Sequence, residues 1–201
     1  ELHSLGIYTR VVYSGINNAL RGIRPPNEKT EEKIKLITSM LGKLPDYKQT
    51  VYRGMNLRYD KYVYTFLNSL KQGDVIKSKG FLSTTKDFDT ANGFAGLTKE
   101  TSVVFEISSK HGKDISKYTS FHGGDEQEVL FKPDSNFQVE SVIKGQPLVI
   151  KLTEVRREPN KIPIKDMSPL GLKKALLRKK DLKEDELMFI ESLWIFNRLG
   201  G

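Results

Sequence analysis

The chain has 201 residues, 37% hydrophobic and 29% charged, enough for one sizeable core plus an appendage, and 33 Lys and Arg against 25 Asp and Glu give a net charge of +8 that favours acidic partners. It contains no cysteine, and His3, His111 and His122 fall in no zinc-ligand spacing, so neither disulfides nor a thiolate metal site can form and metal catalysis is not expected. No apolar run reaches the roughly 18 residues of a membrane span, and a start at Glu1 rather than Met reads as an excised domain or a processed chain.

In chain order, Val12, Ile16, Ala19 and Leu20 form a stripe that predicts a first helix within Ile7 to Arg21, closed by Gly22 and Pro25-Pro26. Asn27 reads as the N-cap of a second helix, "EKTEEKIKLITSMLG", with acids in its first turns, Ile34, Ile37, Met40 and Leu41 on one face and Gly42 as its stop. A third helix is predicted from Asp60 to Leu70, packing Val63, Phe66, Leu67 and Leu70; its Tyr and Phe content makes strand the competing assignment. The runs "TVYRG", "DVIKS", "GFLSTT", "SVVFEIS", "EQEVLF", "NFQVESVI" and "PLVIKLTEV" read as short strands, with "KDFDTANGFAG" long enough for a short helix that breaks at Gly93 or Gly96. Helices first and many strands after give an α+β fold with antiparallel sheets. From Glu158, "REPNKIPIKD" reads as a connector, followed by a basic helix "GLKKALLRKK" after Ser168-Pro169 and a last helix "ELMFIESLWIFNRLGG" capped by Asp181 and Glu184. This divides the chain into a domain over 1–157 and a C-terminal helical extension over 158–201. The last helix is apolar on nearly every face and must be buried, against its own domain or by docking another domain or a membrane surface.

Three runs carry candidate chemistry. In "GDEQEVLF" strand alternation would turn Glu126 and Glu128 to one face and Gln127 to the other, with Cα atoms of the pair about 7 Å apart, so that both carboxylates reach one substrate. The blander reading is a solvated strand edge. Spelling alone decides nothing, because Glu184-Asp185-Glu186 repeats the pattern at a helix start, where i and i+2 share no face. In "VYRG", Arg53 lies in an apolar strand beside Gly54; a guanidinium there needs an anionic partner, whether a ligand or a structural salt bridge. In "GFLSTT", Ser83 and Thr85 share one face and Thr84 takes the other, which taken alone is ordinary strand-edge chemistry.

Arginine, then Ser-Thr-Thr, then Glu-x-Glu, each on a strand and in this order, resembles the R-S-E class of bacterial mono-ADP-ribosyltransferase toxins, over roughly Ile7 to Val155. "YSGINNALR" resembles the family's NAD-side helix, with Tyr13, Ile16-Asn17 and Leu20-Arg21; Phe94 stands where the family places an aromatic against nicotinamide; and "TSFHGGD" matches its substrate-recognition loop, with Phe121 as the aromatic of the first turn and Asp125 as the loop's last residue. Thr85 departs from the usual Ser-Thr-Ser.

The resemblance implies an α+β ADP-ribosyltransferase fold, N-terminal helices with two packed, mainly antiparallel sheets around an NAD cleft. It implies an enzyme that transfers ADP-ribose from NAD to an arginine of a target protein, with NAD glycohydrolase side activity, secreted and acting in the host cytoplasm; actin and small GTPases are targets within the family. Glu128 is implied as the catalytic carboxylate, Glu126 as the acceptor-side one, Ser83 as support for Glu128, and Arg53 as the diphosphate grip. Gly54, Tyr13, Asn17, Thr84, Thr85 and Phe94 are implied around NAD, and Phe121 and Asp125 on the target side. No metal is implied. The rivals are a catalytically inactive relative that only binds, and a basic nucleic-acid or protein-binding module. No nucleic-acid motif appears and the aromatics are scattered through apolar runs, so nucleic acid is not expected. Neither a G-x-G-x-x-G after a strand nor a Walker loop is present, which disfavours Rossmann and P-loop modes of binding.

Overall fold

Residues 13–59, 61–96, 99–119, 127–156 and 164–166 are described in the structure, a computed structural model. Helix α1 spans Tyr13–Leu20 and α2 spans Glu28–Lys43. As the sequence predicts, Asn27 caps α2: its side-chain oxygen accepts the Thr30 N–H at 2.9 Å, and Glu28 and Glu31 place negative charge at the positive end of the helix dipole. Gly42 does not stop the helix, which continues to Lys43 with Leu44 as C-cap. A tertiary contact fixes that end instead, because the buried Lys113 ammonium donates to the Leu44 carbonyl at 2.7 Å and to Asp46 at 2.6 Å. Hydrogen bonding by Lys113, then by His111, holds the Asp46 carboxyl below its usual range. Helix α3, Lys61–Asn68, is a helix and not the competing strand, since Val63, Phe66 and Leu67 at i, i+3 and i+4 are all buried.

The strands are β1 Asp46–Tyr47, β2 Thr50–Asn56, β3 Val75–Ser78, β4 Leu82–Thr85, β5 Ser102–Ser108, β6 Gly112–Asp114, β7 Glu128–Phe131, β8 Ser135–Ile143, β9 Leu148–Val155 and β10 Ile164–Asp166. Helix α4, Phe88–Ala95, follows β4, and the one-turn α5, Ser116–Thr119, follows β6. The two-residue β1, the three-residue β6 and α5 are too short to leave a period in the sequence.

The sheet runs β1-β6-β7-β4-β2-β5-β9-β8-β3-β10, antiparallel except where β5 meets β9 and β3 meets β10. The expectation was two packed sheets; hydrogen bonding joins them into one ladder of ten strands, but only through the single pair Tyr52↔Thr85 between β2 and β4. The larger core draws on strands from both sides of that pair: Val51, Phe105 and Ile107 from one side, Val129 and Phe131 from the other, with Val63, Phe66 and Leu67 of α3. A second core sits on the opposite face of β7, where Leu130 meets Ile16 of α1, Ile37, Met40 and Leu41 of α2, Phe81 and Ile115. The alternation of Val129, Leu130 and Phe131 between the two cores is the period-2 signature of a strand buried on both faces.

Part of the segment read as a connector belongs to the sheet, since Ile164–Asp166 pairs parallel with Val75–Lys77 at its edge. Two prolines nearby suggested an extended linker, and an extended chain is also what an edge strand requires. The two helices expected over 168–201 lie outside the described residues. Among those described, no helix is long and apolar enough to cross a membrane.

Gly54 sits where β2 meets α4. A Cβ there would lie 1.7 Å from the Ala91 carbonyl oxygen and 2.7 Å from the Ala95 nitrogen, both backbone atoms that cannot step aside. Gly54→Ala is therefore expected to destabilise the fold by about 2 kcal/mol or more, read as a fall of several degrees in Tm; an unchanged Tm would show that α4 can move away freely.

Candidate active site

The site is built on the β4–β7 ladder, where Ser83 opposes Leu130, Thr84 opposes Val129 and Thr85 opposes Glu128. Directly opposed residues of an antiparallel pair share a face, so Ser83, Thr85 and Glu128 lie together while Thr84 faces the other way. Glu128 is only 4% exposed, and Ser83 is its diagonal neighbour across the ladder. The partition of the three hydroxyls expected from the sequence is thus present. Tyr52, opposite Thr85, extends the same row onto β2 and meets the half-exposed Phe88 edge to face at 5.4 Å.

Arg53 is half-buried on β2, and its Nη1 donates to the Ser83 carbonyl at 2.6 Å. The R and S motifs, 30 residues apart in sequence, are therefore in direct contact. The Thr84 hydroxyl is buried and donates to the Val129 carbonyl at 2.7 Å, a core bond that ties β4 to β7. Its side chain turns inward and serves the scaffold. The Thr85 hydroxyl accepts the Asp87 N–H at 3.0 Å. Asp87 in turn caps α4 by accepting the Thr90 N–H at 2.7 Å, and hydrogen bonding from Thr90 holds its carboxyl below the usual range. Thr85 thus starts the turn into α4, a bond that serine could equally make.

Helix α4 ends at Gly96, with φ +81, as the second of the two predicted breaks. It carries Phe94 with its ring exposed to solvent. At Gly54, α4 packs where a side chain would be, so helix packing requires glycine there.

Asn17 also has a scaffold role. It is buried beneath β4, and its amide clamps the Phe81 backbone from both sides, donating to the carbonyl at 3.2 Å and accepting the N–H at 2.9 Å. The helix carrying "INNALR" thereby positions the strand that leads into Ser83. Asn17→Ala leaves a buried N–H and a buried carbonyl unpaired and is expected to cost about 2–4 kcal/mol, measurable by denaturant unfolding; a loss under about 0.5 kcal/mol would mean that the clamp is dispensable. Tyr13 begins α1, and its side chain lies outside the described residues, as do Phe121, Asp125 and Glu126.

β7 begins at Glu128, and Gln127 before it has φ +45, in the left-handed region; Glu126, on which the expected alternation depends, lies outside the described residues. The Gln127 carbonyl accepts the Lys86 N–H at 3.1 Å, and the Glu128 carbonyl accepts the Ile115 N–H at 2.9 Å. Glu128 is thus a strand residue in a fixed ladder.

Sequence reasoning passed over the Tyr52–Phe88 pair and a polar cluster of Lys86, Asp114 and Ser116 beside the strand ends. The one available signal was position, since Lys86 follows Ser-Thr-Thr directly and Tyr52 precedes Arg53. Among the described residues no group of three or more His, Asp or Glu side chains gathers as metal ligands.

A family model described as ADP-ribosyltransferase exoenzyme matches residues 1–164. A protein of Mycobacterium avium named putative NAD(+)–arginine ADP-ribosyltransferase Mav is 34% identical over 144 residues, covering 70% of this chain and 16% of that protein. The Vibrio splendidus protein named putative NAD(+)–arginine ADP-ribosyltransferase Vis is 30% identical over 118 residues, 54% of this chain and 43% of that one. The chain therefore spans less than half the length of either curated relative. The solved structure of Vis toxin, an ADP-ribosyltransferase from Vibrio splendidus, superposes with a TM-score of 0.66 at 23% identity, covering 83% of this chain and 78% of that one, which establishes the likeness of fold. With the family match spanning most of the sequence and the Arg53, Ser83 and Glu128 positions drawn together on adjoining strands, this chain belongs to the ADP-ribosyltransferase exoenzyme family.

Proposed function

We propose that the chain transfers ADP-ribose from NAD to an arginine side chain of a target protein, and hydrolyses NAD when water takes the acceptor's place. The observation that carries this reading is the buried Glu128 carboxylate sharing a strand face with Ser83, whose carbonyl is held by Arg53. The names of the relatives, which specify NAD and arginine, support it.

The chemistry follows from the bond that breaks. The nicotinamide of NAD is a cationic leaving group, so its departure needs no general acid; it leaves as a neutral molecule while positive charge develops on the ribose. A carboxylate fixed in a low-dielectric site stabilises that charge far better than a mobile, hydrated one. Glu128 takes this role, accepting a hydrogen bond from the ribose 2′-hydroxyl, with Ser83 holding its carboxylate in orientation. A guanidinium has five N–H donors in a planar fork, so Arg53 can hold the Ser83 carbonyl and grip the NAD diphosphate at once. Tyr13, Thr85 and Phe94 complete the NAD side, with the exposed Phe94 ring available to stack on nicotinamide.

The acceptor arginine attacks the ribose carbon through a guanidine nitrogen, forming the new C–N bond as the bond to nicotinamide breaks. A protonated guanidinium is a poor nucleophile, and Glu126 orients it and takes up the proton it loses. Phe121 and Asp125 present the target protein; actin or a small GTPase fits the family pattern. The toxin naming of Vis supports secretion and action in a host cell's cytoplasm. The apolar run from Leu187 to Leu199 suits burial against this domain, another domain or a membrane surface.

Incubation with NAD labelled in the adenosine half, with and without agmatine, tests the activity. Nicotinamide should be released in both cases and label should pass to agmatine when it is present. Absence of nicotinamide release would overturn the reading.

A further inference from the structure

Strand β7 enters the sheet at Glu128 between β4 and β6, and one side chain crosses from the first neighbour to the second. On the β4 side Thr85 opposes Glu128, and the Lys86 N–H donates to the Gln127 carbonyl at 3.1 Å. On the β6 side Asp114 opposes Val129, and the Ile115 N–H donates to the Glu128 carbonyl at 2.9 Å. The Lys86 ammonium spans the two sides, donating to Asp114 Oδ2 at 2.6 Å and to Ser116 Oγ at 3.1 Å, and lying 5.4 Å from the centroid of the Tyr47 ring on β1. Asp114 also accepts from the Ser116 N–H at 3.1 Å and from the Ser116 hydroxyl. Two strand spacings separate β4 from β6, about 9.5 Å, so the ion pair straddles β7 beside its first residue. Asp114 shares a face with Val129, the reverse of the face that carries Glu128, Thr85 and Ser83. The pair therefore lies behind the catalytic face and reaches Glu128 through the backbone.

We propose that Lys86 is a positioning residue for Glu128: by binding Asp114 and Ser116 across β7 it holds the Ile115 N–H on the Glu128 carbonyl and so fixes the place of the catalytic carboxylate. The inference rests on the role proposed above for Glu128. As the first residue of β7, Glu128 stands where a strand opens most readily, and a carboxylate that stabilises developing charge must be held within a fraction of an ångström. A tie from β4 to β6 closes that end. Burial acts to raise the Asp114 carboxyl, and the bonds from Lys86 and Ser116 outweigh it, leaving the group below its ordinary range and ionised near neutrality. The Lys86 side chain is 22% exposed and Asp114 36%, so the pair is less screened than a surface ion pair.

The test compares the full chain with Lys86→Met, which keeps the aliphatic stem and the backbone bond to Gln127, and with Lys86→Arg, which keeps the charge. Activities are read well below the Tm of each variant, where every chain is folded, so that a pair serving stability alone would lower Tm and leave kcat unchanged. In Lys86→Met, kcat for nicotinamide release should fall by about tenfold or more, as expected when a reacting group is misplaced by a fraction of an ångström to an ångström. Transfer to agmatine should fall by the same factor, while KM for NAD stays within about threefold because Arg53 and Phe94 are untouched. Lys86→Arg should recover most of the loss. Hydrogen exchange supplies a readout independent of activity: the Ile115 amide should exchange about tenfold or more faster in Lys86→Met, with the β5–β9 ladder unchanged. Should Lys86→Met fail to fold, Asp114→Asn breaks the same ion pair and carries the same expectations. A kcat within about twofold of the parent, or loss of transfer alone, overturns the proposal. If the parent releases no nicotinamide, the functional reading fails on its own account, and exchange at Ile115 then decides the tie made by Lys86: faster exchange supports it and unchanged exchange overturns it.

Discussion

Glu128→Gln is expected to lower both ADP-ribose transfer and NAD hydrolysis by about 10³-fold or more, equivalent to about 4 kcal/mol of transition-state stabilisation. Glutamine keeps the size of the side chain and the hydrogen bonding of the β4–β7 ladder, so the loss reports the charge. The effect is large because Glu128 is buried beside Ser83 and Thr85, where the field of a carboxylate is poorly screened. Both reactions pass through the same cleavage of the nicotinamide–ribose bond, so both should fall together. Nicotinamide release measured under single-turnover conditions checks this. Residual hydrolysis within tenfold of the parent would mean that another carboxylate carries the positive charge of the ribose.

Glu126→Gln should separate the two activities. If Glu126 serves the acceptor, its amide variant loses transfer to agmatine by about 10²-fold or more, the scale of a missing general base, while much of the NAD hydrolysis persists because water replaces the acceptor. Equal loss of both activities in Glu126→Gln would show that the pair acts as one unit on NAD, and arginine specificity would lose its mechanistic basis.

The legible parts of this molecule are those with a period or a cap. Asn27 and the acids after it announced α2, the i, i+3, i+4 spacing in "KYVYTFLN" announced α3, and alternation in "LSTT" separated Thr84 from Ser83 and Thr85 before any coordinates. The left-handed backbone at Gln127, whose carbonyl accepts the Lys86 N–H, leaves no mark in composition. Long-range polar contacts were equally hidden. Nothing in "INNALR" shows that Asn17 will grip Phe81, 64 residues away, or in "GKD" that Lys113 will close α2 at Leu44. Gly54 was noticed for a neighbouring arginine, while its requirement comes from a helix that begins 34 residues later. The residues implied around NAD therefore divide: Arg53, Ser83 and Glu128 gather on adjoining strands, whereas Asn17, Thr84 and Gly54 build the frame that holds them.

The proposal that the NAD ribose reacts at the Glu128 face of β7 can be checked by a crystal structure of the chain with a non-hydrolysable NAD analogue. The nicotinamide ribose 2′-hydroxyl is expected within hydrogen-bond distance of the Glu128 carboxylate, about 2.5–3.0 Å, with the diphosphate at Arg53 and nicotinamide against Phe94. An analogue bound with its ribose away from Glu128, or its diphosphate held by residues other than Arg53, would contradict it.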